Sequence, residues 1–266
     1  MTEAHSEVWC AGLATDPDCN HERGVACFAL LSSDERERAD RFLRREDRDR
    51  FVVSHAAFRF VLGRALDVDP KALRFETGTT GKPELAGPER GRLHINLSHS
   101  GDQALVGFSR IGRIGVDIEM VRSIPDALRI ARHHFAPEEV RDLERHNADT
   151  LLDAFMGLWT RKEAFAKACG LGLSLPLDSF VVTVPPHRAE VLSIGGDKTA
   201  ARGWSLHGLT PFPGYVGAVA IEGWRVPMSV TSLLPGWPEE LNLPGRLART
   251  EDEGRTIACG RGRGSL

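Results

Sequence analysis

Apolar positions along the chain alternate in short runs in some stretches and recur every three to four residues in others, which separates strands from helices. Val8 to Leu13 and Val25 to Leu30 read as strands. Ser32-x-x-Glu35 is a capping box that opens a charge-rich helix reaching about Arg44. A second helix carries Phe51, His55, Phe58 and Leu62 on one face and is broken by Asp69-Pro70. Leu73 to Glu76 is a short strand before the turn Gly78-Thr79-Thr80-Gly81-Lys82-Pro83. His94 to Leu97 is another, turning at Ser98 to Gly101 into Ala104 to Ser109, and Ile114 to Glu119 follows. Helices are predicted over about Pro125 to His134, Pro137 to Arg145 and Thr150 to Cys169. Gly170 is placed to end the last one in a left-handed cap. Phe180 to Val184, Trp204 to Leu209, Tyr215 to Ile221 and Ser229 to Leu233 complete the strands.

Strands, helices and strands thus precede Arg113, and the same kinds of element follow it, without an internal sequence repeat. The pattern predicts an α+β protein of two lobes, 1–113 and 114–234, joined near Ile111 to Arg113. Residues 235–266 are rich in Gly, Pro, Arg and Glu with little to bury, and are expected to be a disordered tail.

Composition narrows the function. The 266 residues carry a formal net charge of -3, so no global basic field argues for nucleic acid, and an anionic ligand needs a local cluster of bases. No apolar run is long enough to span a membrane, and Met1 to Trp9 lacks the pattern of a secretory signal. Five cysteines without a C-x-x-C pair speak against a disulfide framework or a zinc site and for a reducing cytoplasm. There is no phosphate-binding G-x-x-x-x-G-K-[ST] loop, no G-x-S-x-G and no H-E-x-x-H.

Four stretches carry candidate chemistry. In Gly115-Val116-Asp117-Ile118-Glu119, strand alternation sends Asp117 and Glu119 to one face, roughly 7 Å apart, a hard-oxygen pair that suits a divalent cation if a third ligand arrives. A solvated strand face gives the same pattern. In Leu158 to Lys167, Lys162 falls on the apolar stripe of its helix, where it must snorkel or meet a buried anion. Glu163 and Lys167 lie one turn apart on the neighbouring face, as a metal carboxylate beside a phosphate-binding cation or as an ordinary surface pair. Asn96-Leu97-Ser98-His99-Ser100 brings polar groups to a strand end, where a histidine can contact phosphate or carry a proton. Arg45 and Arg50 sit in a charge-dense, nearly balanced stretch that is either a solvated helix face or a phosphate contact.

In order, Gly81-Lys82-Pro83, Asn96-Leu97-Ser98-His99-Ser100, Gly115-Val116-Asp117-Ile118-Glu119 and Trp159-x-x-Lys162-Glu163-Ala164-x-x-x-Lys167 resemble the Sfp-type 4'-phosphopantetheinyl transferases, over about Arg36 to Ile221. The resemblance implies a monomeric pseudodimer of two similar lobes with coenzyme A in the cleft between them. It implies Asp117, Glu119 and Glu163 around magnesium, with Glu163 or Lys167 as the catalytic base. Lys82, Pro83, Ser98, His99, Lys162 and Lys167, and by a softer match Arg45 and Arg50, would contact coenzyme A. The partner implied is an acyl, peptidyl or polyketide carrier protein, docked near the long helix, with Arg161 and Leu171 to Leu173 as candidate contacts. Two other readings use the same residues: a magnesium-dependent phosphodiesterase, and a non-catalytic protein that binds coenzyme A or a carrier.

Overall fold

The computed structural model describes residues 6–13, 20–78, 81–234 and 237. The first lobe runs through β1 (Ser6–Gly12), α1 (Asn20–Leu30), α2 (Ser33–Ala39) and α3 (Arg45–Leu66). The hairpin β2 (Arg74–Thr77) and β3 (Pro83–Ala86) follows, then β4 (His94–Ser100) and β5 (Gln103–Ser109). The second lobe repeats that order: β6 (Ile114–Met120), α4 (Ala127–His134), α5 (Pro137–Leu143) and α6 (Ala148–Cys169). The hairpin β7 (Phe180–Val182) and β8 (Val191–Ile194), the short α7 (Lys198–Ala201), β9 (Trp204–Leu209) and β10 (Tyr215–Glu222) complete it. In each lobe the last strand lies in the middle, antiparallel to both neighbours, giving β1-β5-β4 and β6-β10-β9.

The sheets pack face to face. Val8, Cys10 and Leu105 of the first meet Ile114, Val116, Ile118, Val219 and Ile221 of the second in a buried apolar layer. Each lobe has its own core beyond its sheet, one around Phe51, Phe58 and Leu62 of α3, the other around Phe155, Leu158 and Phe165 of α6. This is the α+β pseudodimer.

Several details depart from the sequence expectation. Val25 to Leu30 is helical. Cys27 and Leu30 are buried while Val25 is 58% exposed, the three-residue spacing of a helix face rather than strand alternation. β4 continues to Ser100, so Ser98 to Ser100 are strand residues and the turn begins at Gly101. β3 and β8 are short hairpin strands that the sequence pattern did not show. β11 (Ser229–Ser232) leaves the second lobe and pairs in parallel with β1, so the first sheet has four strands, in the order β11-β1-β5-β4. The second lobe therefore ends at β10, short of the expected boundary at 234. Of the expected tail only Trp237 is described. It is 2% exposed, against Phe60 at a ring-centroid distance of 5.2 Å, so at least one tail residue has a core to enter.

Candidate active site

β6 and α6 approach so closely that a side chain between them is impossible. A Cβ on Gly115 would lie 2.1 Å from the carbonyl oxygen of Ala164 and 2.4 Å from the amide nitrogen of Ala168. Alternation then turns Asp117 and Glu119 to the same side as Gly115, beside α6. β4 is fastened along β6 by side chains two residues apart. Asn96 Oδ1 accepts from the Val116 amide at 2.7 Å. Ser98 Oγ donates to Asp117 Oδ1 at 3.1 Å. Ser100 Oγ donates to Glu119 Oε2 at 2.8 Å. The acids thus stand where the two lobes meet.

Asp117 is 3% exposed. Lys167 Nζ donates to its Oδ1 at 2.5 Å and to Ser98 Oγ at 3.1 Å. Asp117 Oδ2 is enclosed and has no hydrogen-bond partner, an expensive state for a carboxylate oxygen. Burial raises the Asp117 pKa to about 6. Lys167 opposes the rise, and the nearby charges of Glu119 and Glu163 add to it. The half-buried Glu163 is also shifted upward, by burial first, with Lys167 pulling it down and Glu119 pushing it up. The three carboxylates therefore sense one another. Among the described residues, however, no three histidine, cysteine, aspartate or glutamate side chains close to metal-binding distance.

His99 lies on the other face of β4, open to solvent on one side. Its imidazole pKa is lowered, first by loss of water around the ring, then by Lys167 and Arg50, and less by Arg38, while Glu119 opposes. Arg50 donates to Asp102 at 2.9 Å and is paired with Asp47 at 3.4 Å. Arg38 stands over the Phe51 ring, which in turn stacks on His55 at 3.8 Å. Arg38, Arg50 and Lys167 thus bring positive charge near the imidazole, with Glu119 opposing, a setting that suits a phosphate. Arg45 is placed differently: its guanidinium is 81% exposed and its ion pair is with Asp49, one turn along α3.

Three expected ligand contacts have other duties in this structure. Lys162 has no exposed side chain. Its ammonium donates to Glu139 Oε1 at 2.6 Å and to the Phe180 carbonyl at 2.8 Å, so it met a buried anion of its own lobe and is closed to coenzyme A. Lys82 donates to the carbonyls of Ile114 at 2.6 Å and Lys167 at 3.1 Å, and Pro83 is exposed at the start of β3. Arg161 is 7% exposed and holds the carbonyls of Thr183 and His187, so it offers nothing to a docking partner. Leu171 is 46% exposed, and the side chain of Leu173 lies outside the described residues. Sequence reasoning missed Arg38, and it placed Asn96 and Ser100 in a candidate stretch without assigning them a role. Asn96 and Ser100 share the two-residue spacing of Ser98 on one strand, which was visible; their partners on β6 were not.

The two-lobed fold with an acidic strand at the seam is that of the 4'-phosphopantetheinyl transferases, and the chain belongs to that family, as family models and relatives show. A family model described as 4'-phosphopantetheinyl transferase superfamily matches residues 113–220, and one described as 4'-phosphopantetheinyl transferase, N-terminal, matches 19–109. The chain is 36% identical over 233 residues to the 4'-phosphopantetheinyl transferase Sfp of Bacillus subtilis, covering 87% of this chain and 95% of that protein. It is 35% identical over 198 residues to the 4'-phosphopantetheinyl transferase HetI of Nostoc, covering 74% of this chain and 80% of that one. No helix among the described residues is long and apolar enough to cross a membrane.

Proposed function

We propose that this enzyme moves the 4'-phosphopantetheine arm of coenzyme A to a serine of an acyl, peptidyl or polyketide carrier protein, releases 3',5'-ADP, and uses magnesium held by Asp117, Glu119 and Glu163. The observation that carries this reading is the Asp117 carboxylate. It is enclosed at the seam, one oxygen is on Lys167 and Ser98, and the other is without a partner among three mutually repelling acids. An oxygen-only donor set of this kind suits magnesium, which takes a few carboxylates together with substrate phosphate and water. When bound, the metal supplies charge neutralisation at the pyrophosphate.

The chain's own residues account for the rest. His99, with Arg38, Arg50 and Lys167 near it, holds a coenzyme A phosphate. Ser98 and Ser100 fix the rotamers of Asp117 and Glu119. The nucleophile is the carrier's serine hydroxyl, so the enzyme contributes a base. Glu163, on α6 beside the acids of β6, is the group assigned that role. Lys167, whose ammonium already donates to Asp117 and Ser98, is the cation beside the pyrophosphate.

Intact-protein mass spectrometry of an apo carrier mixed with coenzyme A, magnesium and the enzyme tests the reading. The expected result is a gain of one phosphopantetheine that disappears with EDTA. Release of 3',5'-ADP without carrier would instead indicate a phosphodiesterase. Bound coenzyme A with no transfer to fatty-acid, polyketide or peptide carriers would indicate a binding protein.

A further inference from the structure

Lys82 belongs to the turn before β3 in the first lobe, yet its ammonium is spent in the second. It donates to the carbonyl of Ile114, the first residue of β6, and to the carbonyl of Lys167, in the last turn of α6. These two backbones are the ones that meet at Gly115, where the strand runs against Ala164, Lys167 and Ala168 with no room for a methyl group. The Lys167 carbonyl also accepts from the Gly170 amide at 3.2 Å, and the last carbonyls of a helix carry partial negative charge, so an ammonium there is favourably placed. One lysine from one lobe therefore ties together the strand that carries Asp117 and the helix that carries Glu163 and Lys167.

We propose that Lys82 is a positioning residue for transfer: by bridging Ile114 and Lys167 it fixes how far the Lys167 ammonium stands from Asp117. This rests on the transferase reading and changes the part expected of Lys82, from a direct contact with coenzyme A to a brace beneath the site. Burial lowers the Lys82 pKa to about 8, with Glu84 opposing, in keeping with an ammonium shielded from water rather than one displayed to a ligand. Its two acceptors are backbone carbonyls, so replacing their side chains does not remove the contact, whereas replacing Lys82 does.

The test compares Lys82→Met and Lys82→Arg with the unaltered enzyme, and places Lys82→Met also in a Lys167→Ala background. For a brace, Lys82→Met lowers kcat about ten- to a hundred-fold, as small misplacements at a reacting centre do. KM for coenzyme A stays within about twofold, and Lys82→Arg, which can still donate to both carbonyls, recovers most of the rate. In the Lys167→Ala background Lys82→Met has no further effect on kcat, because the group it positions is gone. A rise in KM for coenzyme A at unchanged kcat would overturn the inference in favour of a phosphate contact. An equal fall in kcat with and without Lys167 would overturn it as well. Amide hydrogen exchange across Ile114 to Asp117 and Lys167 to Gly170 reads the brace independently of turnover. Exchange there should quicken in Lys82→Met, and unchanged exchange would sink the proposal even if the enzyme transferred nothing. Absence of turnover by the unaltered enzyme, with quickened exchange in the variant, would fault the transferase reading and leave the brace standing.

Discussion

The two lobes share one design and differ in one place. α3 and α6 are both 22 residues long, and at matching positions each buries a cation, Arg59 in the first and Lys162 in the second. Each cation meets a glutamate that also accepts from a backbone amide at the start of a preceding short helix. Arg59 Nε donates to Glu35 at 2.7 Å, and Glu35 accepts from the Ser32 amide. Lys162 donates to Glu139 at 2.6 Å, and Glu139 accepts from the Ala136 amide. Each cation also faces an aromatic ring, Phe75 or Phe180. The difference lies one residue further along each helix and on the facing strand. By strand register Asp117 corresponds to Trp9, and by helix position Glu163 corresponds to Phe60 and Lys167 to Arg64. In the first lobe Arg64 rests over the Trp9 and Phe60 rings, and Trp237 covers Phe60. In the second, Lys167 holds Asp117 beside Glu163. The same scaffold thus carries an apolar, covered cluster in one lobe and an acidic, partly unsatisfied one in the other. The shared Glu–cation pairs are common to both lobes, and the unshared acids are the residues that the proposed reaction uses.

The largest effect should come where the lobes are least alike. Gly115→Ala forces a methyl into backbone atoms that cannot move aside. It should cost more than the roughly 1–3 kcal/mol of ordinary overpacking and abolish transfer. Glu7→Ala, at the matching place on β1, should leave turnover within about twofold. Thermal melts with transfer rates on both variants check the contrast.

The buried pairs should respond alike. Lys162→Met strands the buried Glu139 and should lose about 3–5 kcal/mol in urea denaturation, and Arg59→Met, which strands the partly exposed Glu35, should lose an amount at the lower end of that range. A large loss for Arg59→Met and none for Lys162→Met would break the equivalence.

A smaller effect, confined to the first lobe, is set by pH. His55 stacks on Phe51, and burial lowers its pKa from 6.5 to about 4; Glu35 opposes this, and Arg38 and His99 add to it. The unfolded chain therefore takes up a proton that the folded chain refuses. Stability should fall as pH drops from about 6.5 towards 4, by on the order of 3 kcal/mol from this group. His55→Gln should flatten that part of the stability curve. An unchanged slope would assign it to other groups.

Much of this was legible in the sequence because its causes are local. Strand alternation put Asp117 and Glu119 on one face, and helix periodicity put Lys162 on an apolar stripe where only a buried anion could satisfy it. The identity of that anion was not legible, because Glu139 lies 23 residues away and its capping box opens on Ala136, which has no capping side chain. The fastening of β4 to β6 and the return of β11 to β1 are long-range pairings that leave no periodic trace. The contacts of Lys82 were not legible for the same reason. A lysine in a glycine-rich turn looks like a ligand contact until the carbonyls it reaches, 32 and 85 residues on, are known.

The most direct test of the division between folding and chemistry is a pair of substitutions at one matched position, Glu163→Ala and Phe60→Ala, each scored for turnover per folded molecule and for melting temperature. Glu163→Ala should remove phosphopantetheine transfer and leave the melting temperature nearly unchanged. Phe60→Ala, at 5% exposure in the first core, should cost about 3–5 kcal/mol of stability while the molecules that remain folded turn over normally. Normal turnover by Glu163→Ala, or an inactive Phe60→Ala that melts like the unaltered protein, would contradict the account.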